Sequence, residues 1–326
     1  MPLSSDPAPS PLQAEARSCH HVMMVRPDHF GWNAETAASN CFQSTPKEAP
    51  EGEVHEAALK EFDALGQALT GAGIQVHCFQ DPPHPATPDA IFPNNWVSFH
   101  GDGTLILYPM QATNRRAEVR TDWIDSLEET LGCRWQRRID LRPLAEREEF
   151  LEGTGSLVLD RRERVAYAAL SPRTTPEGLA AFAVATGYSV ETFQTQDRGH
   201  PIYHTNVMMA LGSQHAMVCL DAMPVKSERD RLRLGLETSG FEIVEFDRQQ
   251  LTRFVGNQIT LLDEGGNPHI ITSSRALASL SPSQVKHLER FGNIIAPSLD
   301  TIEFHGGGSA RCILAEIALP ANHPAI

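Results

Sequence analysis

Apolar and polar positions along the chain fall into a repeated succession: a helix-like segment runs into a glycine and then into a short β-rich run, five times over. The β-rich runs are 74–79, 133–138, 188–193, 241–246 and 293–298. The glycines ahead of them, Gly73, Gly132, Gly187, Gly240 and Gly292, follow one another at 59, 55, 53 and 52 residues. That near-constant period predicts five copies of one structural unit.

Upstream of most helices lie two further strand-like stretches. Examples are 156–160 with 164–169, and 258–263 with 269–272 across the turn Glu264-Gly265-Gly266-Asn267. Each unit therefore reads strand, strand, helix, strand. Units of about 50 residues cannot each bury a helix and a small sheet alone, so five should pack around a common axis. The expected fold is α/β, a five-bladed α/β propeller forming one catalytic domain over 19–326, with a loose tail over 1–18. A doubly wound parallel sheet also alternates strands and helices, but the hairpins argue against it. So does the missing dinucleotide fingerprint: Gly153-Thr154-Gly155 lacks a third glycine, and Gly306-Gly307-Gly308 stands at the wrong end of the chain.

Composition narrows the partners. The 326 residues are 41% hydrophobic, enough for a real core, and carry 27 basic against 41 acidic side chains for a net charge of −14. A nucleic acid or an anionic membrane surface is repelled by that balance, and no basic cluster offsets it. The first eighteen residues hold four prolines and four serines without a secretory apolar core, and no later stretch has the roughly 18 apolar residues of a membrane span. Six cysteines without a C-x-x-C pair signal neither a disulfide framework nor a zinc site. A reduced, cytoplasmic setting without metal fits, in which each thiol is core filler or nucleophile.

Cys312 follows Gly306-Gly307-Gly308-Ser309-Ala310-Arg311, a run able to bring bare backbone N–H groups to a substrate and a guanidinium to the sulfur. Cys219, inside an apolar run, reads as core. A thiol nucleophile needs a base and a group to orient it. His204 stands just before the apolar stretch 207–211, as a base at a strand end or as a structural histidine. His200 lies four residues earlier, but Pro201 makes a shared helical face, and so a metal pair, improbable. Glu152 precedes Gly153-Thr154-Gly155-Ser156, as a turn residue or an acidic partner. Pro88-Asp89-Ala90-Ile91-Phe92-Pro93-Asn94-Asn95-Trp96 sets an acid, two amides and an indole around a strand start, or a turn over a buried Trp.

From about His20 onward the chain resembles the guanidino-group-modifying superfamily of arginine deiminases, amidinotransferases and dimethylarginine hydrolases. Within it the likeness is greatest to deiminase-related citrulline hydrolases, the citrulline ureidases. The resemblance rests on Arg26-Pro27, Phe92 to Trp96, Asn114-Arg115-Arg116-Ala117-Glu118, Glu152 to Gly155, Leu170-Ser171-Pro172-Arg173-Thr174, His204-Thr205-Asn206 and the glycine run to Cys312, in that order. It implies a central site with Cys312 as nucleophile, His204 as acid/base and Glu152 as its acidic partner. It also implies Asp89 as a substrate-binding acid, and Arg115 (or its neighbour Arg116) and Arg173 as holders of the substrate α-carboxylate, with no cofactor.

The chain departs from the superfamily where acids usually face the guanidinium. Asn94 and Asn95 stand there, Asn206 replaces the acid of H-x-D, and Ser156 replaces the last acid of the glycine-rich motif. A buried guanidinium favours carboxylates, whereas amides suit a neutral ureido group. The expected activity is hydrolysis of citrulline to ornithine, carbon dioxide and ammonia. Arginine dihydrolase is the nearest alternative, with arginine deiminase and dimethylarginine hydrolase less favoured. A papain-like protease fits poorly because its cysteine precedes its histidine, and a non-catalytic amino-acid-binding propeller stays open. The expected partner is a small amino acid, citrulline or arginine, and a homo-oligomer is admitted.

Overall fold

The computed structural model describes residues 18–44 and 50–320. The tail expected over 1–18 lies outside the described residues except for Ser18. Among the described residues, fifteen strands form five three-stranded sheets. β1 (His21–Arg26) runs parallel to β2 (Gln75–Gln80). The second sheet is β3 (Val97–Phe99), β4 (Thr104–Leu107) and β5 (Arg137–Asp140), and the third is β6 (Val158–Asp160), β7 (Val165–Ala169) and β8 (Ser189–Phe193). The fourth is β9 (Met209–Leu211), β10 (His215–Val218) and β11 (Glu242–Glu245), and the fifth is β12 (Ile259–Leu262), β13 (Pro268–Ile271) and β14 (Asn293–Ile295). β15 (Ala315–Ile317) returns to the first sheet and pairs antiparallel with β1, with Ala315 opposite Met23. In every sheet an antiparallel pair is joined by a third strand lying parallel to one of its members, so each blade needs a helical crossover.

The crossovers are the helices Glu51–Gly71, Thr121–Leu131, Pro176–Thr186 and Lys226–Thr238, and in the fifth sheet the pair Ser274–Ser279 and Pro282–Leu288. The last is divided because Ser281 caps a new helix with Pro282 in its first turn, where the missing N–H costs nothing. Thr121–Leu131 shows why such segments are helical: Trp123, Ile124, Leu127 and Leu131 fall on one buried face. Four of the five repeated glycines stop the preceding helix in left-handed backbone, at φ of 81° (Gly73), 63° (Gly132), 74° (Gly187) and 80° (Gly240). Gly292 serves differently, since a Cβ there would lie 2.6 Å from the Pro268 carbonyl oxygen.

The five-bladed α/β propeller expected from the repeat is the architecture found. Local boundaries differ. The run expected as strand over 133–138 is mostly loop, because the buried Trp135 packs on Phe99 and its backbone N–H is held by Glu128, so pairing starts only at Arg137. The stretches expected as strands from 156 and 207 open instead as helical turns, Gly153–Ser156 and Thr205–Met208, before β6 and β9. β15 lies against β3, β6 against β9, and β9 against β12, which turns the first strand of each blade toward the axis. No described helix is long and apolar enough to cross a membrane.

Candidate active site

The residues singled out from the sequence converge at one end of that axis, and one structural rule places most of them. A turn precedes the first strand of each blade: Pro93–Asn95 before β3, Gly153–Ser156 before β6, Thr205–Met208 before β9, a turn reaching Gly256 before β12, and Ala310–Ile313 before β15. Asn94 and Asn95 sit in the first, Glu152 and His204 cap the second and third, Asn206 lies in the third, and Cys312 in the last. The turns Gly153–Ser156 and Ala310–Ile313 both pack on Pro93–Asn95.

Gly155 makes this convergence sterically feasible. A Cβ on it would stand 2.5 Å from Asn95 Nδ2 and 2.7 Å from His204 Nδ1. Ser156 supports the same turn from beneath: its Oγ accepts from the Glu152 N–H at 2.9 Å and donates to the Arg173 carbonyl at 3.0 Å.

His204 Nε2 lies 2.8 Å from Glu152 Oε2, with both side chains buried. A neutral imidazole donating there leaves Nδ1 as its basic nitrogen. Burial opposes charge on Glu152, yet Arg173, His204 and Arg115 together outweigh it and hold the carboxyl well below the usual range. Burial likewise pulls His204 down to about 4, against the lifting effect of Glu152. At neutral pH the pair is thus a carboxylate and a neutral imidazole.

Cys312 is buried, and burial pushes its thiol up although Asn257 and Arg311 act the other way. Its sulfur is met by Asn257 Nδ2 at 3.2 Å and Asn206 Nδ2 at 3.6 Å. The Arg311 guanidinium, expected beside the sulfur, is instead bound by the Leu314 carbonyl at 2.7 Å and Glu316 at 2.6 Å. Those acceptors satisfy it, and Arg311 acts on the sulfur only at a distance.

The other candidates form a layer of paired charges. Arg115 Nε and Nη2 each donate to Glu118 at 2.9 Å, while Nη1 donates to Asn95 Oδ1 at 2.8 Å. Arg116 turns away, to the Met110 carbonyl at 3.1 Å. Arg173 donates to Ser39 Oγ and the Thr36 carbonyl, both at 2.9 Å, lies 3.4 Å from Glu152, and stands over the Tyr203 ring. Asp89 Oδ2 accepts from Asn33 at 2.8 Å and Thr36 at 3.1 Å, whereas its Oδ1 has no partner among the described residues. Asn94 Oδ1 accepts from Asn95 Nδ2 at 3.1 Å, and its own buried Nδ2 has no partner among them either.

Sequence reasoning missed Asn257, Glu118, and the segment bearing Asn33, Thr36 and Ser39 that covers Asp89 and Arg173. For Asn257 a signal existed: it occupies, in the blade of β12, the place that site residues hold in the other blades. Among the described residues no cluster of three or more His, Cys, Asp or Glu could hold a metal ion.

A family model described as N,N dimethylarginine dimethylhydrolase, eukaryotic, matches residues 26–319. The N-terminal domain of ArgZ, a cyanobacterial arginine dihydrolase, superposes with a TM-score of 0.71 at 16% identity, covering 92% of this chain and 99% of that one. A mutant of AgrE bound to L-arginine gives 0.71 at 16% identity, covering 93% of this chain but 41% of the longer AgrE chain. A dimethylarginine dimethylaminohydrolase variant, as its adduct with S-methyl-L-thiocitrulline, gives 0.62 at 13% identity, covering 90% and 98%. At such identities these likenesses establish the fold. No curated protein matches the chain in sequence.

Proposed function

We propose, for a chain that belongs to the N,N dimethylarginine dimethylhydrolase family of guanidino-group-modifying enzymes, that it is a cysteine hydrolase of C–N bonds whose substrate is citrulline. The observation that carries the substrate choice is the amide pair Asn94–Asn95 beside Glu152 and His204, with Asn94 Nδ2 buried and unpartnered among the described residues. A neutral ureido oxygen supplies the acceptor that this N–H lacks, while a guanidinium offers only donors to it.

In the reaction Cys312 Sγ attacks the ureido carbon, and the thiol proton passes to His204 Nδ1. His204 returns the proton to the side-chain nitrogen as its bond to carbon breaks, releasing ornithine and leaving a carbamoyl group on the sulfur. Water, deprotonated by His204, attacks that carbon; the carbon–sulfur bond breaks, the imidazolium returns its proton to the departing Cys312 sulfur, and the carbamic acid released decays to carbon dioxide and ammonia. Glu152 stabilises the imidazolium each time it forms. Arg173 and Arg115 are assigned to the α-carboxylate and Asp89 to the ammonium group.

A second reading, arginine dihydrolase, draws support from the likeness to ArgZ; Asp89 Oδ1, a buried carboxylate oxygen without a partner among the described residues, suits the ammonium group of either substrate. Incubation with citrulline, arginine and dimethylarginine separately, with products read by mass spectrometry, distinguishes them. Ornithine from citrulline with arginine untouched supports the first reading; direct conversion of arginine to ornithine installs the second.

A further inference from the structure

The Cys312 sulfur lies within hydrogen-bonding reach of two amide side chains, and the nearer belongs to a residue outside the acid/base pair. Asn257 is fully buried. Its Nδ2 lies 3.2 Å from Cys312 Sγ and 3.0 Å from the Asn206 carbonyl oxygen. Its Oδ1 accepts from the backbone N–H groups of Ser309 at 3.1 Å and Cys312 at 3.3 Å. The Arg311 N–H donates to the Asn257 carbonyl at 3.3 Å. One side chain thus fixes the loop that carries the nucleophile and presents an N–H to the nucleophile itself. An Nδ2 donor directed at sulfur favours the thiolate, because a charged acceptor makes the stronger hydrogen bond.

Resting on the reading of Cys312 as nucleophile, the geometry points to Asn257 as a positioning residue that holds the Cys312 sulfur in place and stabilises its thiolate, with Asn206 as a weaker second donor. The charged and titratable groups around the sulfur are Arg311 on its own turn, Tyr203, whose hydroxyl interacts with the sulfur electrostatically, and the Glu152–His204 pair across the site. Arg311 is committed to Glu316 and Leu314, and Tyr203 donates to the Gly307 carbonyl. That leaves the two side-chain amides and the Ser309 backbone as the groups bonded to the sulfur, Asn257 Nδ2 being the nearer amide donor and Asn206 Oδ1, 3.8 Å away, accepting from the thiol.

Asn257→Asp tests this, because the isosteric carboxylate keeps an acceptor for the Ser309 and Cys312 N–H groups while replacing the donor to sulfur by a charge that opposes the thiolate, and the neutral Asn257→Ser removes the donor without that charge. The readout is the pH dependence of iodoacetamide alkylation at Cys312, followed by peptide mass spectrometry. The midpoint should rise by about one unit or more, and kcat for citrulline should fall about tenfold or more with KM changed much less. Asn257→Ser, smaller and still able to accept from the loop, should raise the midpoint by less. In the unaltered protein, two buried side-chain amide NMR signals should shift with the Cys312 midpoint and stay fixed in Cys312→Ser. An unchanged alkylation profile in either folded variant, or the absence of any such titrating amide, overturns the role of Asn257. Alkylation uses no substrate, so a wrong substrate assignment leaves this test standing.

Discussion

Among the described residues Asn94 Nδ2 is a buried unpartnered donor and Asp89 Oδ1 a buried unpartnered acceptor. Asn94→Asp should therefore depress citrulline turnover by setting a charge against the ureido oxygen, and improve the relative binding of arginine. Product ratios from both substrates check this, and undiminished citrulline turnover would contradict it. Cys312→Ser should abolish turnover with an unchanged circular dichroism spectrum, since a hydroxyl is much the poorer nucleophile. The two arginines should part company. Arg173→Ala should raise KM for citrulline about tenfold or more, and less for its decarboxylated analogue. Arg115→Ala strands Glu118, which Arg115 holds by two hydrogen bonds, and should also cost about 3–5 kcal/mol of stability in denaturant titration. At this scale much was legible in the sequence, because Cys312, His204, Glu152 and the asparagines stand in ordered motifs. Glu118 stands inside such a motif yet showed no role there, since nothing in a linear pattern says which acid an arginine will grip.

At the scale of the element, the repeat of helix, glycine and strand foretold five blades, and the hairpins followed from paired strand-like stretches set across turn residues. What stayed hidden were the single helical turns ahead of β6, β9 and β15. Four residues are too few to show a helical period, and tertiary packing on the neighbouring turn fixes them. Asn257 was hidden because its blade lacks a motif and only its place in the repeat marks it. Gly155 shows how tight this ring of turns is. Gly155→Ala should lower kcat about a hundredfold or more by displacing Asn95 and His204, with a smaller change in thermal stability. A variant with wild-type kcat would mean that the turns can separate without loss.

Across the whole molecule, buried histidines couple stability to pH. His204 and His215 are pulled down to about 4 and His100 to about 3, in each case first by burial. From their ordinary value of 6.5 downward the unfolded chain binds protons that the folded one refuses, so each of these histidines lowers stability as pH drops from about 6.5 toward about 4, against the opposite contribution of Glu118, whose carboxyl burial pushes up to about 8. Glu152 works in the same sense lower down: its depressed carboxyl stabilises the fold above the ordinary value of 4.5, and that contribution fades as pH falls further. The melting temperature should decline through this window by an amount matching a few kcal/mol for each histidine, and His215→Phe should flatten the slope. An unchanged slope in His215→Phe would show that the His215 imidazole is not held neutral by burial.

The pairing of β15 with β1 has a consequence for how copies of the chain meet while folding. Until that contact forms, Val22 to Val25 offer an open apolar edge beside a strand from the far end of the sequence, and loop closure over such a separation is slow. During that interval a neighbour's β15 can fill the same place, and it brings its own Cys312 turn with it. Refolding at high concentration should then give exchanged dimers in which each active centre borrows its nucleophile from the other copy. Mixing Cys312→Ser chains with His204→Asn chains before refolding would restore activity in part, whereas mixing the same variants after folding would not.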